Sequence, residues 1–360
     1  MHFPGPMPPS AKADTFTIDC TATPSPTPIT DGTPLPSLAY ATPTAYPTPT
    51  PLEILPSAYQ NPNGASLAWA QFGGDANHPK PGVLVIHGNG WNGGSALDNL
   101  GQTRDIADAG FFAATVFYEL TPNDETVEGY IPGQPSHELD GTDPGWRVTL
   151  EVNDIKNAVK AMRADPRCNG WVAVVGGSAG ATHAITVALD TNPSGSNGGD
   201  WPHWFQNGHD DRPDCAVMLS ATYDFSDWTP RTGETQTDTD FVHSVHNYAQ
   251  TLDLNTLADL PLNPVNLVPG AIAHGFKPIY MVNSYHDHPT AYHQLVTMVC
   301  LLLNSGLTRY TDFDYLTIPG SSGHVHAFQY WDSWDNMPSL LQHTVGDDVI
   351  SFLKTQAGLQ

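Results

Sequence analysis

The stretch Val174–His183, Val-Val-Gly-Gly-Ser-Ala-Gly-Ala-Thr-His, decides the fold of this chain. Apolar, β-prone residues lead into Gly-Gly-Ser-Ala-Gly, and small or apolar residues continue through Leu189, which predicts a strand, a very tight turn and a helix. In that context the G-x-S-x-G pattern is typical of a nucleophile elbow, in which a strained backbone pushes a serine hydroxyl out at the edge of a sheet. Ser178 is therefore the candidate nucleophile.

Two alternatives exist for this stretch: a glycine-rich turn without chemistry, and a phosphate-binding loop. The turn has no G-x-G-x-x-G pattern and no lysine after it to meet a phosphate, which disfavours the second alternative. Serine catalysis also needs a base, an acid and an oxyanion hole, and these must come from elsewhere in the chain.

The acidic composition excludes several kinds of partner. The 360 residues include 13 Lys and Arg against 37 Asp and Glu, a formal net charge of -24. Nucleic acids and anionic membrane surfaces are therefore poor partners. The sequence contains no apolar run long enough to predict a membrane span.

Residues 1–56 are rich in Pro and Thr and predict an extended N-terminal arm or linker, because proline fixes φ and removes a hydrogen-bond donor. Residues 57–360 are expected to form one catalytic domain with an insertion at about 224–275. The composition of the arm indicates a secreted or cell-surface protein. No signal peptide is visible in the first residues, so a cytoplasmic location stays open.

The four cysteines show no C-x-x-C spacing, which argues against a structural zinc site. Cys168 and Cys215 each come just before a predicted strand, and these strands are expected to be parallel neighbours. A bridge between the two is one alternative, and four free thiols are the other.

Apolar runs alternate with helical stretches from residue 66 onward, and the first predicted strand is Ser66–Phe72. This alternation predicts an α/β fold with a mostly parallel central sheet and helices on both faces. The insertion follows a buried strand at Cys215–Ala221, so we expect it to hang like a lid over the carboxyl edge of the sheet. Its Trp228 is a candidate for the substrate pocket.

A buried strand at 83–86 ends in His87-Gly88-Asn89-Gly90-Trp91. Glycines there let backbone N–H groups turn toward one point, as an oxyanion hole requires. The predicted donors are the N–H of Gly88 or Asn89, together with that of Ala179, the residue after the nucleophile. His87 is expected to brace this loop through its side chain, and Trp91 is a second pocket candidate.

The acid and base candidates follow the last two predicted strands. Asp287 comes after the seventh strand, and His324 and His326 come after the eighth. Parallel strands bring these positions to the edge where Ser178 projects, and the chain order Ser, Asp, His suits a catalytic triad. His324 and His326 are both possible bases at this point, and His324 is also a pocket candidate.

These motifs together resemble an α/β-hydrolase of the esterase/lipase type over roughly residues 66–355. The chain is also similar to a group of bacterial esterase-like hydrolases with a His-Ala-Phe-x-Tyr-Trp box after the last strand, here at 326–331. The resemblance implies that His326 is the base and that Asp287, in Asn-Ser-x-x-Asp at 283–287, is the acid. Such relatives usually carry Gly where this chain has Asn89, but Asn tolerates a positive φ, so the hole is expected to survive.

The sequence suggests two other kinds of site, and both are disfavoured. Histidines 286, 288, 324 and 326 around Asp287 could suggest a metal centre. Acidic residues at 138, 140 and 143 could suggest a glycosidase pair. A chain that also offers G-x-S-x-G favours neither, and we expect no metal and no cofactor.

The sequence therefore predicts a serine carboxylic-ester hydrolase that works through an acyl-enzyme and acts on small-molecule or polymer-borne esters. Feruloyl or acetyl esters on polysaccharide, and polyesters, are the narrower substrate expectations. A serine peptidase on the same fold and a non-catalytic binding module are the alternatives. The oligomeric state cannot be inferred from the sequence.

Overall fold

A computed structural model describes most of the chain that follows the arm. The described residues are 18, 20, 51–60, 66–120, 146–192, 211–228, 244–246, 248–249, 251, 253–287, 289–318, 326–332 and 344–359. Residues 121–145, with the acidic residues at 138, 140 and 143, lie outside these ranges, as do most of the arm and much of the insertion before residue 244.

The core of the molecule is one eight-stranded sheet in the order β1-β2-β4-β3-β5-β6-β7-β8. Strands β3 to β8 are parallel, and β1 and β2 extend one edge in antiparallel pairing. The strands are β1 Leu52–Gln60, β2 Ser66–Phe72, β3 Lys80–Ile86, β4 Phe112–Val116, β5 Cys168–Gly177, β6 Cys215–Leu219, β7 Ile279–Ser284 and β8 Phe313–Ile318. The predicted mostly parallel sheet is confirmed.

Helices cover both faces of this sheet. They are α1 Leu100–Asp108, α2 Trp146–Ala164, α3 Ala179–Leu189, α4 Leu254–Asp259, α5 Pro264–Ala273, α6 Tyr292–Asn304 and α7 Val345–Ala357. Alternate residues of the inner strands enter two separate apolar clusters, one with α2, α3 and α6 and one with α1 and α7. Continuous apolar runs such as 83–86 result from this burial on both sides. Among the described helices, none has the length and apolar character needed to cross a membrane.

Strand β1 begins inside segment 1–56, which its composition assigns to the arm. It pairs only with β2 and forms the edge of the sheet. Its register shifts between Leu55 and Tyr59, around Pro56. Proline is tolerated at a sheet edge or a bulge because it has no N–H to donate to a ladder. The sheet thus starts one strand earlier than the predicted first strand, Ser66–Phe72.

The disulfide pairing differs from both sequence alternatives. Cys20 is bonded to Cys300 in α6, with 5.3 Å between their Cα atoms, whereas Cys168 and Cys215 are free and buried. In the β5–β6 ladder Cys215 lies opposite Ala173 rather than opposite Cys168. This offset along the strands is too large for a disulfide. The bridge between Cys168 and Cys215 and the set of four free thiols were therefore both wrong.

The disulfide fixes the start of the chain at the edge of the sheet opposite β1. The N–H of Ile18 donates to the hydroxyl of Tyr315 in β8 at 3.3 Å, and Cys20 is bonded to α6 nearby. Strands β8 and β1 are the two outer strands of the sheet. Cys20 and Leu52 therefore lie at opposite edges of the sheet.

Breaking this disulfide is expected to destabilise the protein by about 2–4 kcal/mol, because the bond restricts the unfolded chain over a long loop. Cys20→Ser and Cys300→Ser should lower the melting temperature equally, and the double variant should lower it no further. Alkylation of the unfolded protein should modify two thiols, those of Cys168 and Cys215, without reductant and four with it. Equal melting temperatures for wild type and variants, or four reactive thiols in unreduced protein, would contradict this pairing.

Candidate active site

Ser178 occupies the tight turn between β5 and α3, with φ 57° and ψ -123°. Non-glycine residues rarely adopt such a backbone, and it persists only where the surroundings enforce it. A Cβ atom added at Gly176 would lie 2.0 Å from the carbonyl oxygen of Gly180, and one at Gly180 would lie 2.2 Å from that of Ile86. The serine hydroxyl makes no capping bond to α3. The predicted strand–turn–helix geometry is therefore present.

Asp287 and His326 form a close pair at the same edge of the sheet. His326 Nδ1 lies 2.9 Å from each carboxylate oxygen of Asp287. Asp287 is only 1% exposed, and it also accepts bonds of 2.9 Å from the Thr290 N–H and the Tyr330 hydroxyl. An Nδ1–H that donates to a carboxylate leaves Nε2 unprotonated, which is the tautomer a general base needs.

The residues that follow His326 pack directly against the elbow. A short 3-10 helix spans Ala327–Tyr330. A Cβ atom at Gly177, the residue before Ser178, would lie 2.5 Å from the ring of Phe328 and 3.2 Å from the Cβ of Ala327. The packing of Ala327 and Phe328 on Gly177 therefore brings the turn that carries Ser178 close to the loop that begins at His326.

Ser220 and Tyr330 connect the loop that begins at His326 to Asp287. Neither residue was predicted to have a role. Ser220 follows β6 with φ 62°. Its Oγ accepts the Ala327 N–H at 3.0 Å and is hydrogen-bonded to the Tyr330 hydroxyl, which in turn donates to Asp287. The available signal was the spacing of Tyr330 from His326 inside one motif. Nothing local in the sequence pointed to Ser220.

The loop after β3 presses its backbone against Ser178. A Cβ atom at Gly88 would lie 2.8 Å from the Cβ of Ser178. Asn89, Gly90 and Trp91 have successive positive φ values of 88°, 63° and 65°. Asn89 thus adopts the backbone expected of it when it replaces glycine.

His87 braces this loop in the way that was expected of it. Burial lowers the pKa of His87, which favours the neutral ring, and its Nδ1 lies 3.0 Å from the Gly88 carbonyl oxygen. A trans peptide points its C=O and N–H in opposite directions, so a bond that holds this carbonyl also directs the Asn89 N–H. On the other side of the serine, Ala179 is the first residue of α3, and its N–H has no acceptor within the helix.

Comparison with known proteins gives structural neighbours but no sequence match. No protein-family model matches the chain, and a search of curated proteins finds no match. Esterase 2 of Thermogutta terrifontis, in a form phosphonylated by sarin, is similar at TM-score 0.56 and 14% identity over 85% of this chain and 94% of its own. A truncated carbohydrate esterase from gut microbiota is similar at TM-score 0.55 and 14% identity over 81% of this chain and 91% of its own. Esterase B of Lactobacillus Rhamnosis is similar at TM-score 0.55 and 18% identity over 87% of this chain and 90% of its own.

The chain has the α/β-hydrolase fold. In this fold a serine on the strand–helix turn, an acid after one strand and a histidine after the last strand meet at the carboxyl edge of the sheet. The elbow of Ser178 and the pair of Asp287 and His326 occupy those positions here.

None of the three pocket candidates is tested by a described pocket. Trp91 is fully buried and stacked on Tyr248, and its pocket role stays a prediction. Trp228 is half-buried, packs against the core and donates its Nε1–H to the Phe225 carbonyl at 2.6 Å, and its pocket role stays a prediction. His324 lies outside the described residues.

Asp287 is engaged by His326, Thr290 and Tyr330 rather than by a ring of imidazoles. Within the described residues, no group of three or more His, Cys, Asp or Glu side chains is arranged to hold a metal ion. His288 and His324, two members of the alternative metal set, lie outside them.

Tyr330→Phe removes the hydroxyl that donates to Asp287 and keeps the ring in the core. Hydrogen bonds to charged groups are worth about 1.5–3 kcal/mol, so we expect labelling of Ser178 by a fluorophosphonate to slow about tenfold or more. Tyr59→Phe is the matched control, because it also removes a buried tyrosine hydroxyl bond, to the Phe117 carbonyl, on edge strand β1. Equal labelling rates in the two variants would show that Tyr330 has no effect on the site.

Proposed function

We propose that this chain is a serine carboxylic-ester hydrolase in which Ser178 is the nucleophile, His326 the general base and acid, and Asp287 the carboxylate that orients the imidazole. The observation that carries the proposal is the contact of both Asp287 carboxylate oxygens with His326 Nδ1, beside a serine in strained backbone geometry. A histidine with a structural role needs only one hydrogen-bond partner on its ring. A general base needs its tautomer fixed, and the contact of His326 Nδ1 with Asp287 fixes it.

The chemistry follows from the geometry of these three residues. His326 Nε2 takes the Ser178 proton as Oγ attacks the ester carbonyl, and the resulting imidazolium is stabilised by Asp287. His326 then gives that proton to the leaving alcohol, and an acyl group remains on Ser178. Water, deprotonated by His326, attacks the acyl-enzyme, and the imidazolium returns that proton to Ser178 Oγ as the carboxylic acid leaves.

The negative oxygen of each tetrahedral intermediate needs donors that are in place beforehand. The N–H of Ala179 at the start of α3 is one, and the positive end of the helix dipole adds to it. The second is the N–H of Asn89 or Gly88. We favour Asn89, because the bond between His87 and the Gly88 carbonyl sets the direction of the Asn89 N–H.

The structural neighbours support this reaction class and suggest first substrates. Esterase 2 of Thermogutta terrifontis has solved forms phosphonylated by sarin and with propionate or butyrate bound. We therefore propose esters of short acyl chains as first substrates. A carbohydrate esterase is also a neighbour, which supports testing acetyl and feruloyl esters on polysaccharide, and polyesters belong in the same panel.

We also propose that the protein works outside the cytoplasm. Stable disulfides form mainly in oxidising compartments, and the bond between Cys20 and Cys300 supports such a location.

The first test is hydrolysis of p-nitrophenyl acetate and butyrate, with and without a fluorophosphonate, followed by peptide mapping of the label. We expect turnover in the wild type, its loss on labelling, and the label on Ser178. Ser178→Ala should fold normally and lose both turnover and label, whereas Ser351→Ala on the exposed face of α7 should keep both. No turnover and no label in folded wild type would favour the binding module, and cleavage of aminoacyl amides in preference to esters would favour the peptidase.

A second set of variants tests the other two members of the triad. Asp287→Asn keeps the shape of the side chain but loses control of the imidazole tautomer, so kcat should fall by about 10⁴-fold. His326→Ala should abolish turnover, and His324→Ala should leave most of it. If His324→Ala is the inactive variant of the two, the base is assigned to the wrong histidine.

A further inference from the structure

The insertion contacts the loop at 87–91, called here the oxyanion loop, at two points. The ring of Tyr248 stacks on that of Trp91, with centroids 4.6 Å apart and planes within 10°. Ser244 Oγ lies 3.2 Å from the position that a Cβ atom of Gly90 would occupy. Val245, Tyr248 and Ala249 have no exposed surface and belong to the main apolar cluster. This part of the insertion is therefore fixed against the loop.

The Tyr248 hydroxyl is anchored to the elbow helix. It lies 3.3 Å from Nδ1 of His183 in α3, and His183 Nε2 lies 3.1 Å from a carboxylate oxygen of Glu151 in α2. Burial lowers the pKa of His183 to about 3, so the ring is neutral. Its one proton belongs on Nε2, facing the carboxylate, and Nδ1 is then free to accept from the phenol.

His183 also supports the other end of the loop. Its ring meets the ring of Tyr118 edge-on at 4.9 Å, and Tyr118 stacks on His87 at 4.4 Å. The Tyr118 hydroxyl donates to the His87 carbonyl at 3.1 Å. The buried His183 thus contacts Tyr118, which supports the first residue of the loop, and Tyr248, which supports the last.

This support acts on a strained backbone. A bulky residue rarely adopts a positive φ, and it persists there only when its surroundings impose it. Trp91 has φ 65° and no accessible surface, and Asn89 two residues earlier has φ 88°. The stack on Tyr248 is one contact of the Trp91 ring, at the end of the turn that packs against Ser178.

We propose that Tyr248 and His183 are positioning residues of the oxyanion hole: the bond between them locks the stack on Trp91 and so holds the loop at 87–91 in its donor geometry. The inference rests on the function proposed above. It makes the insertion part of the catalytic scaffold at 244–249, although neither residue contacts the substrate.

The test uses variants that remove only this bond. Tyr248→Phe keeps the stacking ring, and His183→Gln keeps an N–H for Glu151 but has no atom at the Nδ1 position that accepts from Tyr248. Poorly placed donors weaken the transition state more than substrate binding. We expect each variant to lower kcat about tenfold with KM changed less than twofold. The double variant should be no worse than either single one, because both remove the same bond.

A trifluoromethyl ketone with a short acyl chain reports on the hole directly, because its adduct with Ser178 carries the oxyanion. Its inhibition constant should rise in Tyr248→Phe by the same factor as kcat falls, and it should stay at the wild-type value in Tyr59→Phe, which also loses a buried hydroxyl bond. A lower melting temperature with an unchanged inhibition constant would reduce Tyr248 to a packing role and overturn the inference. Wild type without turnover or ketone binding would instead overturn the proposed function itself.

Discussion

The close approach of helix α3 to strands β3 and β5 is the constraint on which the rest of this structure depends. Glycines at 176 and 180 leave no room for a Cβ atom, because the carbonyl oxygens of Gly180 and Ile86 lie within 2.0–2.2 Å of where it would be. Such an approach forces the intervening residue, Ser178, into a backbone region that serine rarely adopts. The turn places Ser178 at the carboxyl end of β5, beside the first N–H groups of α3.

Around that turn, one carboxylate organises the ends of three strands. Asp287 follows β7 and receives bonds from His326 and Tyr330, which come after β8. Tyr330 is in turn hydrogen-bonded to Ser220, which follows β6. A buried carboxylate is costly unless every lone pair has a donor, so satisfying Asp287 ties these loops into one geometry. The same bonds that stabilise the charge therefore orient the imidazole.

A second buried network lies behind the oxyanion loop and is built differently. Its members are mostly aromatic rings, with His183 and Glu151 at its centre. Stacked rings restrain a loop without presenting polar atoms to the substrate side, which suits a site where only backbone N–H groups should face the reacting oxygen. The two networks together support the loop at 87–91 and the loop that begins at His326, and both loops pack against the turn of Ser178.

The sequence by itself determined the fold class, the elbow and the strands that Asp287 and His326 follow, because these depend on local patterns: glycine spacing, apolar periodicity and the positions at which strands end. It also predicted the positive φ of Asn89 and the brace from His87, since both follow from one short loop. Tertiary structure alone decided the pairing of Cys20 with Cys300, the burial of Trp91 under Tyr248, and the roles of Ser220 and Tyr330. Each of these joins residues far apart in the chain, and the contact that defines it exists only once the sheet has set its register and the helices have packed upon it.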